Sequence, residues 1–283
     1  MLLTRLVVAV ALLLAARPVA GQHPPVVLPG TEERALRSEV NDVAYKLYIS
    51  RPNDYDDSMS SYPVIYLLDA DYSFAIARNI VEHLSDRSHL TRAVIVGIAY
   101  DGPSTYRRDR TRDYTPTHST TGGYGPEYQA VSGGGPEFLR FITEELIPFI
   151  EREYRVTDRR VLVGHSYGGL FTTWTMLNRP ELFDGFVIVS PSLWYDDHVI
   201  FDVERRRAES TDELAARVFV TVGSREVNAQ WNMPRDVRRF AGVLERRGYR
   251  GLRLRWSVED DETHNSIFPG ALSDGLRFVL EGR

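Results

Sequence analysis

The sequence predicts an α/β fold: a mostly parallel central sheet flanked by helices, built as one domain over residues 22–283. Three observations predict it. Short apolar runs alternate with amphipathic segments along the chain, the rhythm of strands and covering helices. Most of these runs are apolar throughout rather than alternating, as strands buried on both faces must be. One of them runs straight into glycines that bracket a serine, where strand character gives way to helix character.

The first segment stands outside that domain. Residues 1–21 carry Arg5 ahead of an 11-residue apolar run at 6–16, with Arg17 directly after it, and end in the small residues Ala20 and Gly21. This is the layout of a cleavable secretory signal. The run is too short to cross a bilayer core, which takes about 20 residues. Export with cleavage near Gly21, to a periplasm or the outside of the cell, is therefore expected, with no membrane association afterwards.

Strands are expected at 43–49, 64–68, 93–100, 160–163, 186–189, 218–222 and 252–258. The last alternates, with Leu252, Leu254, Trp256 and Val258 on one side, which places it near a sheet edge. Pro136 opens a helix whose Phe138, Phe141, Ile142, Phe149 and Ile150 recur at helical spacing, and Pro148 is expected to kink its last turn. Another helix, from about 234 to 247, turns Val237, Phe240, Ala241 and Leu244 inward and stops at Gly248. Residues 101–135 break the rhythm, with much glycine, arginine, tyrosine and threonine and no apolar period. They read as one long loop, and loops of that length in compact domains are commonly functional. Following a central strand directly, this one is expected to wall a substrate site, because ligands of open α/β sheets bind beyond the strands' carboxyl ends.

Composition narrows the function. Of 283 residues, 43% are hydrophobic and 26% charged, ordinary values for a folded domain. A net charge of −5 argues against nucleic acid as a partner. The basic runs at 205–207 and 246–247 adjoin Glu204 and Glu245 and read as solvated helix faces. Cysteine is absent, which excludes disulfides, a lipid-modified cysteine, a thiolate nucleophile and Cys-based zinc sites. There is no His-Glu-x-x-His, no phosphate loop and no Gly-x-Gly-x-x-Gly after a strand, and Asp69 and Asp71 gather no further ligands. No metal and no cofactor are expected.

Gly164-His165-Ser166-Tyr167-Gly168 has the pattern of a nucleophile elbow, a strained strand-to-helix turn that holds a serine hydroxyl out for attack. "RRVLV" supplies the strand before it and "GLFTTWTMLNRPELF" the helix after it. Such a hydroxyl needs a base. In folds that carry their serine on this turn, the acid and then the base follow it in chain order. Of seven histidines, His264 meets that condition, in the polar loop "EDDETHNSIFP" after the last strand. His165, beside the serine, is expected to point away from it. The acid that orients the imidazole is expected at Glu226, in the loop after the strand at 218–222, with Asp260 and Asp261 as rivals close to His264. The oxyanion calls for backbone donors: the amide of Tyr167, and that of Ala70 or Asp71 after the strand at 64–68.

With "RTRDYTPT", "FLRFITEELIPFIEREYRV", "RRVLVGHSYGGLFTTWTMLNRPELFDGFVIVSPSLWYDD" and "ETHNSIF" in view, the chain from about residue 35 to its end resembles the esterase branch of the α/β-hydrolases. That branch includes esterase D-like enzymes and periplasmic hydrolases of trilactone siderophores. The resemblance implies an α/β-hydrolase fold, Ser166 as nucleophile, His264 as base, and Arg112 and Trp194 as residues lining the substrate cleft. It also implies reliance on a Ser-His dyad with a weak or missing acid. The function expected is that of an exported serine esterase acting on a small-molecule carboxylic ester through an acyl-enzyme. An acyltransferase of the same fold and a binding protein on a hydrolase scaffold are the alternatives.

Overall fold

The computed structural model describes residues 26–281 apart from 101, 103 and 104, so the expected signal at 1–21 lies outside the described residues. A single sheet of eight strands runs in the order β1-β2-β4-β3-β5-β6-β7-β8. Its strands are β1 (Thr31–Arg37), β2 (Ala44–Ser50), β3 (Tyr62–Leu67), β4 (Val94–Tyr100), β5 (Val156–His165), β6 (Gly185–Val189), β7 (Glu213–Gly223) and β8 (Arg250–Glu259). The six from β4 to β8 are mutually parallel, and β2 and β1 pair antiparallel beyond β4. This is the α/β-hydrolase layout that the resemblance implies.

Helices cover both faces. On one lie α1 (Ala70–Ser88) and α9 (Phe268–Leu280), which bury Phe74, Val81, Leu272 and Leu276 against Ile65, Val163, Val187 and Phe219. On the other lie α2 (Tyr106–Tyr114), α3 (Pro126–Gln129), α4 (Gly135–Phe141), α5 (Ile147–Glu153), α6 (Tyr167–Asn178), α7 (Tyr195–Ser210) and α8 (Met233–Arg247). Phe138, Phe141, Phe171 and Phe240 fill the core beneath them. The inner strands β3, β4 and β6 are buried at every position, which is why their sequences read as unbroken apolar runs.

Three expectations change. β1 carries Glu32, Glu33, Arg34 and Arg37 and, among the described residues, pairs with β2 alone. Its charges suit an exposed edge, where they discourage pairing with other chains, and they erase any apolar signal. Pro148 does not kink an isolated last turn. α4 continues into α5 through one wide π-turn at Ile142–Leu146, which makes room for the proline ring and its missing N–H just ahead of Pro148. Finally, residues 101–135 are not a structureless loop, since they contain α2 and α3. The buried side of α2 is polar, comprising Asp109, Arg110, Thr111, Asp113 and Tyr114. Its amphipathicity therefore lies in hydrogen bonds rather than apolar spacing.

Candidate active site

Every element of the site grows from the carboxyl edge of the sheet. β5 ends at His165 and α6 starts at Tyr167, leaving Ser166 between them at φ 61 and ψ −118. A side chain at that dihedral costs about 1–3 kcal/mol and persists only where its surroundings enforce it. They do so here by close approach. A Cβ on Gly164 would collide with the Gly168 carbonyl and the Thr172 hydroxyl, and one on Gly169 would stand 2.9 Å from the Val189 carbonyl. The glycines are there so that α6 can pack against β5 and β6 while the serine is held out. The first amide to close a helical turn is that of Leu170, onto the Ser166 carbonyl at 2.9 Å. The Tyr167 amide thus lies outside the helical ladder, at the positive end of α6.

Ser166, Tyr167, Glu226 and His264 line one cleft of about 460 Å³. The carboxylate that reaches His264 is Glu226. Its Oε2 lies 2.6 Å from His264 Nδ1, while its Oε1 accepts from Ser190 Oγ at 2.5 Å and from the Gly223 amide at 2.7 Å. The Glu226 side chain is 1% exposed and that of His264 37%, so the acid is held in the protein and the imidazole opens to the cleft. With Nδ1 facing Glu226, Nε2 is the nitrogen left for Ser166. The rivals are engaged elsewhere: Asp260 accepts from Ser224 and Asp261 pairs with Arg225. A carboxylate at this distance departs from the weak or missing acid that the resemblance implies. The Ser166 hydroxyl and the His264 ring share the cleft without a closed hydrogen bond, a gap that catalytic pairs close around substrate.

Two expected residues are placed elsewhere. Arg112 does not line the cleft; its guanidinium is bound by Asp109 at 2.7 Å and Asp113 at 2.7 Å. Arg110, one helical side away, lines it instead. Nor does Asp71, or Ala70, line the cleft. Trp194 does line the cleft, and it stacks on Trp231 with ring centroids 5.2 Å apart and planes at 13°. Trp231 and Tyr124 have no motif around them in the sequence, whereas Arg110 opens the "RTRDYTPT" stretch, in which the resemblance points to Arg112 instead.

Beneath the cleft Arg110 grips Asp69 with two contacts of 2.9 Å, Nε to Oδ1 and the second guanidinium nitrogen to Oδ2. Their side chains are 3% and 0% exposed. The rings of Tyr106, Tyr114, Tyr124 and Tyr167 surround the guanidinium. Removing one partner of such a pair leaves a buried charge uncompensated. Asp69→Asn, which keeps a residue tolerant of the left-handed backbone at position 69, is therefore expected to lower unfolding stability by about 3–5 kcal/mol. Denaturant titration of both proteins measures it; a change under about 1 kcal/mol would mean that the Arg110 charge is not left uncompensated.

A family model described as "Putative esterase" matches residues 38–271. The chain is 31% identical over 273 residues to the ferri-bacillibactin esterase BesA of Bacillus subtilis, an alignment covering 93% of this chain and 94% of that protein. Among solved structures, the BES protein from Bacillus cereus superposes with a TM-score of 0.80 at 26% identity, covering 93% of this chain and 99% of that one. An IroE-like serine hydrolase from Shewanella oneidensis gives 0.80 at 28% identity, with 89% and 80% covered.

Proposed function

The chain belongs to that esterase family and is a carboxylic ester hydrolase of α/β-hydrolase fold, and from that premise we propose that it is an exported serine esterase working through an acyl-enzyme. One observation supports this above the others: a serine on a strained turn, an imidazole and a buried carboxylate line a single cleft, the last two 2.6 Å apart.

In this reading His264 Nε2 takes the Ser166 hydroxyl proton as Oγ attacks the ester carbonyl carbon. The Tyr167 amide meets the oxyanion. Collapse of the tetrahedral intermediate breaks the ester C–O bond, and the departing alcohol takes the proton from His264. Water then attacks the acyl-enzyme, giving its proton to His264; the acid leaves and Ser166 is restored. Glu226 holds the imidazole in the tautomer this needs and stabilises the imidazolium.

The substrate we propose is a small siderophore-type ester. The relative named above is a ferri-bacillibactin esterase, and the stacked Trp194 and Trp231 offer a flat apolar ledge beside the serine on which a ring-bearing acyl group could lie. Export rests on the layout of residues 1–21. A fluorophosphonate probe tests the chemistry: the wild type should label and Ser166→Ala should not. A panel of acyl chain lengths with a macrocyclic trilactone then ranks substrates, with the trilactone expected to have the highest kcat/KM. Labelling of neither protein would favour a binding protein, and ester products formed with an added alcohol would favour an acyltransferase.

A further inference from the structure

The histidine beside the nucleophile has no part in the chemistry above, yet it is buried, at 5% exposure, and fully engaged. His165 Nε2 lies 2.8 Å from the main-chain carbonyl of His264, and its Nδ1 lies 2.8 Å from the Tyr72 hydroxyl. A carbonyl oxygen only accepts, so Nε2 carries the proton. In a neutral ring Nδ1 is then the acceptor, and the Tyr72 hydroxyl donates to it. The environment favours this arrangement. Burial, helped by the neighbouring His264 and Arg110, drives the His165 pKa well below its ordinary value and keeps the ring neutral. The Tyr72 hydroxyl stays protonated, since a phenol titrates at about 10 in water and desolvation at its inward end raises it further, although the residue as a whole is 41% exposed. The His165 and His264 rings lie 4.5 Å apart between centroids, and Phe268 packs against His165 at 5.6 Å.

From this geometry we infer that His165 is a positioning residue for the base: its Nε2–H, with the tautomer fixed by the accepting His264 carbonyl and supported by Tyr72, ties the His264 backbone to the strand end that carries Ser166. The inference rests on the serine-esterase reading. Other bonds of the same loop run elsewhere. The Arg225 amide donates to the Glu262 carbonyl at 3.1 Å, and the Asp261 amide to Ser224 Oγ at 2.9 Å. Those contacts fix the base relative to the turn that carries the acid. The His165 bond fixes it relative to the nucleophile, one residue from Ser166, and a displacement of about 1 Å between reacting groups can cost 10²-fold in rate.

Two amides separate the roles of the two ring nitrogens. In His165→Gln the amide can still reach the His264 carbonyl from near the Nε2 position, whereas in His165→Asn it stays near Nδ1 and meets Tyr72 only. Both place a neutral amide of similar polarity in the same pocket. With a chromogenic ester, and kcat normalised to sites titrated by fluorophosphonate, His165→Asn is expected to lose about 10- to 100-fold in kcat with KM changed less than about twofold. His165→Gln should recover most of that loss. Tyr72→Phe, which removes the donor to Nδ1 and leaves the Nε2–H bond to the His264 carbonyl in place, should stay within about threefold of wild type in kcat, and it does not depend on either amide folding. Equal kcat for Gln and Asn, a loss confined to KM, or a Tyr72→Phe loss as large as that of His165→Asn would each overturn the inference. A wild type that neither labels at Ser166 nor turns over esters would sink the hydrolase reading itself, and the positioning role with it.

Discussion

Ser166→Ala is expected to lower kcat by about 10⁴- to 10⁶-fold while leaving the fold intact. The side chain it removes makes none of the packing that holds the elbow together. That work is done by the close approach of α6 to β5 and β6 at Gly164 and Gly169, and alanine takes the same φ of 61 at no greater steric cost than serine. Thermal unfolding should therefore be unchanged, or shift slightly upward, as strained functional residues are exchanged for inert ones. His264→Gln should cost a similar factor. Because the two act as one unit, the double variant should be no worse than either single one. Steady-state ester hydrolysis with all three proteins tests this. If the losses multiplied instead, Ser166 and His264 would be acting independently, and the acyl-enzyme pathway would not hold.

Glu226→Gln is expected to cost about 10³- to 10⁴-fold in kcat/KM, the loss seen when an orienting carboxylate becomes an amide. A dyad with a weak or missing acid, as the sequence resemblance implies, would lose far less. The geometry argues for the larger number. Both carboxylate oxygens are in use: Oε2 on His264 Nδ1, Oε1 on Ser190 Oγ and the Gly223 amide. A glutamine has one oxygen and one NH₂ to set against three donors. If it gives its oxygen to Ser190 and Gly223, its NH₂ faces His264 Nδ1 and forces the proton onto Nε2, the nitrogen that must accept from Ser166. If it gives its oxygen to His264, a buried NH₂ confronts the Gly223 amide. Either way an interaction is lost at a buried side chain. The measurement is kcat/KM for E226Q against wild type; a loss below about tenfold would restore the dyad.

How much of this was legible in the sequence depends on whether the signal is local. The elbow could be read because its requirement, small residues at fixed offsets from Ser166, is written within six positions. His264 and Glu226 could be read because chain order along parallel strands dictates which loops arrive at the same edge. The wall of the cleft could not. Arg112 and Arg110 differ by two positions in α2, which at 3.6 residues per turn is about 200° around the axis. In a helix with no apolar stripe nothing in the sequence sets the rotation, so the residue carried over by resemblance faces Asp109 and Asp113 while Arg110 faces the cleft. β1 was invisible for a related reason, since an edge strand made of Glu and Arg has no burial to record. Trp231 lies in a short connection, between β7 and α8, where no periodicity exists to be read.

That last position has a practical side. The two stacked rings come from separate stretches of chain, Trp194 just ahead of α7 and Trp231 from the β7–α8 connection, and neither stretch carries the nucleophile or the base. An engineer wishing to admit a bulkier acyl group can trim the side chain of residue 231 alone, but the same connection carries Glu226, whose carbonyl accepts from the Met233 amide at 3.1 Å, so its main chain has to be kept if substrate preference is to be adjusted apart from turnover.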